Sequence, residues 1–319
     1  MTQAILRQTG DSLDYTPVAA QTGGDVLQIG DGRAAVFPQD VAAADLGAAS
    51  VKGVFRLLKT ANINLLDGQR VYWDHSANTA TYKTANDRDF YLGLAVGDSL
   101  AAATTVDVAI NEVPRFLTRL QDGGWTSLIV KTVVGSTTVE VPDVKMRGGS
   151  AEFIFGATAE AQKVDLLSNK AFALGSNWIV EGEVNVIDDG DAAAIDFNIG
   201  VANATHASDA DAITESVFLH LDGNSLDLYA ESDDGTTEVA ATDTTVNIAL
   251  ATPFHFVIDG RNPADVQIYV NGVLMLTSTV FDISVATGPL KLLAHLEKTS
   301  DDTTASYIIN ELCVRTMEQ

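Results

Sequence analysis

Cysteine is nearly absent from this chain, with Cys313 the only one in 319 residues. An intrachain disulfide and a cysteine-built metal cage are both excluded. The residue reads as a buried apolar side chain in the strand-like run LCVR. Long apolar runs are missing too: nothing reaches the ~18 consecutive residues of a membrane-spanning helix. MTQAILRQTG lacks the basic segment and apolar run of an export signal. The sequence therefore predicts a soluble chain with no membrane partner and no secretory leader. Basic residues are scarce, 19 Lys and Arg against 43 Asp and Glu, for a formal net charge of −24 at pH 7. A surface of that sign repels phosphate backbones, which argues against nucleic acid as a partner. No two histidines stand at zinc spacing. There is no G-x-S-x-G elbow, no P-loop, and no G-x-G-x-x-G opening a helix.

What the chain does have is strand and turn. VQIYVNGVLML (266–276) alternates with period two around Asn271-Gly272, a strong local hairpin signal. WIVEGEVNVID, AIDFNIGVA, VFLHLDGNSLDLYA and ASYIINELCVRT behave alike, with Asp222-Gly223 between the two halves of the third. Thr, Val, Ile and Phe fill these runs, and Gly, Asn and Asp punctuate them. Helix candidates are few. PQDVAAADLGAASV (38–51) is rich in Ala, but Gly47 and the lack of an apolar stripe limit it to a turn or two. TAEAQKVDLLSNKAF (158–172) reads equally as a helix or as a strand with a bend. Texture changes between 111 and 120, where Pro114 interrupts the chain and longer strands begin; MRGGSAEFIF (146–155) contains a second break, which reads as a loop within the second portion.

In the first portion, VYWDHS sets Trp73, Asp74 and His75 side by side, a trio that could suggest an acid and a base beside an aromatic platform. Strand alternation sends Val71 and Trp73 to one face and Tyr72 and Asp74 to the other. Neighbours that point apart cannot converge on one substrate, so Trp73 is expected in the core and Asp74-His75 at a hairpin tip. Around the trio runs a series of short glycine-spaced strands: Gly24-Asp25-Val26, Asp45-Leu46-Gly47, Gly53-Val54-Phe55, Gly68 with Val71-Tyr72-Trp73-Asp74, Leu92-Gly93-Leu94-Ala95, then Val106-Asp107-Val108. Their order over residues 1–111 resembles the phage capsid cement, or decoration, protein family. That resemblance implies a small β-barrel-like module that binds assembled major capsid protein from outside, as a homotrimer, on the outer surface of a virion made in the host cytoplasm. It contributes binding surface and no chemistry. The small-residue segment 1–20 would suit an arm lying on a neighbouring subunit.

In the second portion, TPFHFVIDGRNPADVQIYVNGVLML resembles the strand, polar loop and hairpin of concanavalin A-like (laminin G-type) jelly rolls. ASYIINELCVRT resembles their closing strand. Such sandwiches serve as glycosidases, lectins and plain interaction modules, so the resemblance implies fold more than activity. A glycosidase needs two facing carboxylates. Glu181 and Glu183 share a strand face, but position 185 is Asn, and a polar solvated face is the ordinary reading. For calcium, acidic turns occur in IDDGDAAAID (187–196), ASDADAIT (207–214), ESDDGTTE and KTSDDTT. None has the D-x-[DN]-x-[DN]-G form, and Asp188, Asp189 and Asp191 are the best placed. His220 and His255 read as packed or outward-facing strand residues, His206 as a loop residue and His295 as part of a closing strand. Trp125, in DGGWTS, is the candidate for stacking on a sugar, since Trp178 and Tyr229 fall in strand patterns that favour the core.

The expectation is an all-β chain: a small N-terminal β-barrel-like module, residues 1–115, and a C-terminal antiparallel β-sandwich (jelly roll), residues 116–319, projecting outward. The function expected is a structural virion protein, not an enzyme, that stabilises a tailed-phage capsid. The alternative is a lectin-like protein with surface glycans as partners, and a glycan hydrolase stands third. No catalytic residue, metal ligand or cofactor is assigned.

Overall fold

The structure, a computed structural model, describes residues 10–116, 118–119, 129–140, 150–191 and 194–316. Among them every regular element is a strand. Two compact units divide the chain, Met1–Pro114 and Arg115–Gln319. No described helix is long and apolar enough to cross a membrane.

In the first unit, β1 (Ser12–Tyr15), β2 (Val26–Gln28), β3 (Ala34–Val36) and β4 (Gly47–Ser50) form one sheet in the order β1-β4-β3-β2. The second sheet contains β5 (Val54–Leu58), β6 (Arg70–Asp74), β7 (Thr79–Thr81), β8 (Phe90–Ala95) and β9 (Thr105–Ile110) in the order β5-β9-β8-β6-β7. It curls until its ends meet: Lys59, just past β5, bridges Ala80 of β7 in parallel. Thr60 N–H donates to the Ala80 carbonyl at 2.9 Å. That closure makes the module barrel-like. Val26, Ala34 and Val36 of the first sheet share a core with Leu57, Val71, Trp73, Phe90, Leu92 and Val108 of the second. Asn111 fastens the join, accepting from Ala34 N and donating to the carbonyls of Ala34 and Val51 at 2.7–2.9 Å. Lys59 is buried, which lowers its pKa, and its amine donates to three carbonyls, of Ile63, Ser99 and Leu100.

In the second unit the strands are β10 (Thr118–Arg119), β11 (Ile129–Val134), β12 (Thr137–Glu140), β13 (Ala151–Phe155), β14 (Glu160–Ser168), β15 (Trp178–Asp188), β16 (Ile195–Ala202) and β17 (Ser216–Asp222). They continue as β18 (Asp227–Asp233), β19 (Glu238–Asn247), β20 (Phe254–Gly260), β21 (Gln267–Val270), β22 (Val273–Leu274), β23 (Lys291–Asp301) and β24 (Ala305–Thr316). One sheet runs β12-β13-β24-β15-β20-β21-β22 with β10 beside β24, the other β11-β14-β23-β16-β17-β18-β19. All described pairings in both are antiparallel. The sheets face each other over one core, to which alternate residues of each strand contribute, such as Phe197, Ile199 and Val201 opposite Tyr307 and Ile309. Phe197 and Tyr307 stack at 4.6 Å between centroids. This is an antiparallel β-sandwich.

Local chemistry explains most elements. Asn271 and Gly272 both adopt positive φ between β21 and β22, as a tight hairpin turn requires. Segment 158–172 takes the strand alternative, with a register shift between Glu160 and Gln162. The Ala-rich segment 38–51 departs from expectation: it contains no helical turn, and Gly47–Ser50 pairs with Ser12–Tyr15 instead. Partners far away in sequence decided that pairing over local propensity.

Candidate functional site

The Trp73-Asp74-His75 trio is a hairpin tip. Trp73 lies in the core, while the Asp74 carboxylate accepts from Ser76 N, Ser76 Oγ and Ala77 N at 2.7–2.9 Å. The Ser76 hydroxyl first, then the Ala77 amide, hold its carboxyl below the usual range. His75 N–H donates to Asp89 rather than to Asp74. These acids shape turns and do not form a dyad. Beside the tip runs an open groove of about 490 Å³, lined by Val26 and Leu27 of β2, Leu57 and Leu58 of β5, and Trp73 and His75. On the outer face of β5, Val54 and Leu58 are about 60 % exposed, on either side of Arg56, which is paired with Asp107 at 2.8 Å.

The second unit contains a polar centre that the sequence did not reveal. It lies on the face of the β11–β19 sheet turned away from the main core. Strand register aligns Asp165 with His295, His295 with Asn198, Asn198 with His220, and His220 with Tyr229. A second row aligns Glu297, Asp196 and Asp222. Loop 203–215 packs Ala210 and Ile213 onto Phe218 and Leu293 beside these rows, and so brings Asp211 to the histidine.

His220 is buried among four carboxylates: Asp222 at 3.0 Å and Asp196 at 3.4 Å from Nε2, Asp211 at 3.3 Å and Glu231 at 3.5 Å from Nδ1. Burial alone would lower its pKa, but hydrogen bonds to Asp211 and Glu231 and the charge of Asp196 push it up to about 12. Fully buried His295 donates from Nδ1 to Asp165 and from Nε2 to Glu297, at 2.5 and 2.9 Å. These acids outweigh burial and raise its pKa to about 9. Both imidazoles are therefore cations at neutral pH. Burial pushes Asp196 up to about 8, against the pull of His220 and with Asp211 adding repulsion. Asn198 sits between the two histidines, fully buried. Its amide donates to Asp211 at 2.8 Å and Glu231 at 2.9 Å, while its carbonyl oxygen has no hydrogen-bond partner.

Several expectations need correcting. Glu181 does not lie on a solvated face: it is buried and accepts from His255 Nε2 at 3.2 Å, while Glu183 accepts from Asn310. Both carboxylates are thus engaged within the sheet. Asp188 accepts from Gly190 N and Thr304 Oγ1. Among the described residues, the acids whose ligand atoms converge are not Asp188, Asp189 and Asp191 but Asp196, Asp209 and Glu297, and Asp196 and Asp211 with His220. Tyr229 is on the outer face, edge-on to His220 at 6.3 Å, whereas Trp178 is a core residue. His295 belongs to β23, the strand before the last. Trp125 lies outside the described residues. The one usable signal was parity: in FLHLD and KLLAHLE the histidines fall on the polar side of the alternation.

Residues 7–110, about a third of the chain, match the family model described as phage cement protein. The first unit is thus similar to phage cement proteins. No curated protein matches the sequence. Among solved structures, one from work on endo-acting O-glycanases of the human gut microbiota is 10 % identical, at TM-score 0.45, over 64 % of this chain and all of its own. The carbohydrate recognition domain of Emp47p is also 10 % identical, at TM-score 0.41, over 58 % of this chain and 88 % of its own. The carbohydrate-binding module CBM66 of Bacillus subtilis is 12 % identical, at TM-score 0.38, over 60 % of this chain and 98 % of its own. Likenesses of that size say nothing about what the second unit binds.

Proposed function

We propose that the chain is a structural protein of a tailed-phage virion, in which the cement module attaches to the outer surface of the assembled capsid and the sandwich projects from it. The observation that carries this reading is the family match over nearly the whole first unit. The geometry fits a binding role. Many of the module's acids are used in turns and ion pairs, and exposed Leu58 borders a groove open to a partner segment, with exposed Val54 on the same strand. An attachment of this kind adds subunit-bridging free energy at many equivalent sites, so modest single contacts stabilise a shell. We assign the attachment to the β5 face and expect a homotrimer, made in the host cytoplasm before it decorates the shell.

The test is cosedimentation with capsids that lack the protein, comparing the full chain with residues 1–114 and 115–319. Binding by 1–114 alone is expected, with Leu58→Asp weakening it in the full chain. Binding confined to 115–319 would overturn the assignment. Mass measurement of the unbound protein checks the trimer. A glycan screen of 115–319, with Trp125→Ala as its control, checks the lectin alternative.

A further inference from the structure

The polar centre of the second unit is built around two buried protons. His295 lies between Asp165 of β14 at Nδ1 and Glu297 of its own strand at Nε2. Two hydrogen bonds to carboxylates need two protons, and a neutral imidazole carries one. His220 of β17 is placed in the same way, with Asp211 and Glu231 at Nδ1 and Asp196 and Asp222 at Nε2. Each histidine therefore keeps one proton more than its neutral ring supplies, and both rings are buried.

Residues 204–209, the outer half of loop 203–215, lie against this centre. Lys163 Nζ of β14 donates to the His206 carbonyl oxygen, and the same ammonium is paired with Asp165 at 2.9 Å. The anchor of the segment and His295 thus share one carboxylate. His206 Nδ1 accepts from Ser208 N and Asp209 N, which makes the segment a compact turn. Ala207 and Ser208 border a cavity of about 240 Å³ that reaches Lys163 and Glu297. At the segment's end, one oxygen of Asp209 stands within 4.8 Å of one each from Asp196 of β16 and Glu297 of β23. Like charges at that distance repel unless a proton or a cation offsets them. Beyond Asp209 the loop is fixed, with Ala210 and Ile213 in an apolar cluster and Asp211 bonded to Asn198.

We propose that residues 204–209 form a proton-latched flap, shut over the polar centre at neutral pH and released from the sheet as the solution turns alkaline. The latch is the proton held among Asp165, His295 and Glu297, together with the one on Asp196. In the closed state these groups titrate high, His295 at about 9 and Asp196 at about 8. A group whose pKa is raised by closure favours the closed state fully below its open value, and that contribution is lost as pH rises through the closed one. For His295 the window runs from about 6.5, the value of a free imidazole, to about 9. Across it Asp196 becomes a third charged neighbour of Asp209 and Glu297, and Glu297 loses the cation that offsets it. Both changes act on Asp209. His220, pushed up to about 12, keeps its charge throughout, so Asp211 and the inner half of the loop stay in place.

An environment-sensitive fluorophore attached in the full-chain variant Ala207→Cys reads the flap, because Ala207 is exposed and the native Cys313 is buried. Its emission should change between about pH 6.5 and 9, while the circular dichroism of the strands stays constant. Two further substitutions in that background test the latch. In Glu297→Gln the amide can donate to Nε2, so both bonds of His295 survive without the extra proton. Asp196→Asn is neutral at every pH. Each should move the emission change upward by about one pH unit or more, whereas loss of a merely structural contact would move it downward. Flat emission across the range in the parent variant would overturn the latch. So would an emission change that coincides with loss of the strand signal, or one that both substitutions leave in place or move downward.

Discussion

At Gly93 the backbone of β8 touches that of β9. A Cβ built there lies 2.1 Å from the Ala109 carbonyl oxygen and 2.8 Å from the Ile110 Cα. Neither atom belongs to a side chain that could turn aside. Gly93→Ala must therefore separate two strands of the barrel-like sheet, and it should destabilise the first unit by roughly 1–3 kcal/mol, the range seen for overpacked cores. Urea denaturation followed by the fluorescence of buried Trp73 checks the figure. An unchanged midpoint would mean that the strands are free to slide. The identity of this residue was legible from the sequence, within Leu92-Gly93-Leu94-Ala95, but its reason was not. Glycine in a strand pattern signals a close backbone approach without saying to what.

Loop 203–215 is tied to the rest of the second unit through Glu215. Glu215, at its end, accepts four hydrogen bonds: from Thr287 N and Oγ1 on one oxygen, and from Gly288 N and Asn203 Nδ2 on the other, at 2.8–3.0 Å. Burial raises its pKa, but the Thr287 and Gly288 amides outweigh it, and the net shift is downward. A carboxyl whose folded pKa is depressed contributes stability that is present above its unfolded value, near 4.5, and is lost as pH falls through the folded one. The urea midpoint of residues 115–319 should therefore drop on acidification below about pH 4.5. Glu215→Gln should lower the unfolding free energy at pH 7 by roughly 1–3 kcal/mol, because its amide turns N–H toward two donors, and should flatten the acid limb. A variant that follows the wild-type pH curve would show that Glu215 is not the group responsible. Strands and hairpins here were readable from period-two alternation and from Asn271-Gly272. The polar centre was not. Its residues run from Asp165 to Glu297 and meet only through the register of five strands, while each alone looks like an ordinary solvated position. Parity put His220 and His295 on the polar side, but only the loop and the neighbouring strands bury them.

Over the whole molecule, each unit has its own core. The clusters of the first are drawn from residues 26–110 and those of the second from residues 151–314. A core that shares no residue with its neighbour can melt separately, so two-state behaviour belongs to each unit and not to the chain. Heating the full chain should give two transitions. Gly93→Ala should lower one of them, and Glu215→Gln should lower the other. Leu58→Asp should weaken capsid association without shifting the transition of the second unit. If Leu58→Asp left capsid association unchanged, the β5 groove would not be the contact, and attachment would have to be sought elsewhere on the first unit.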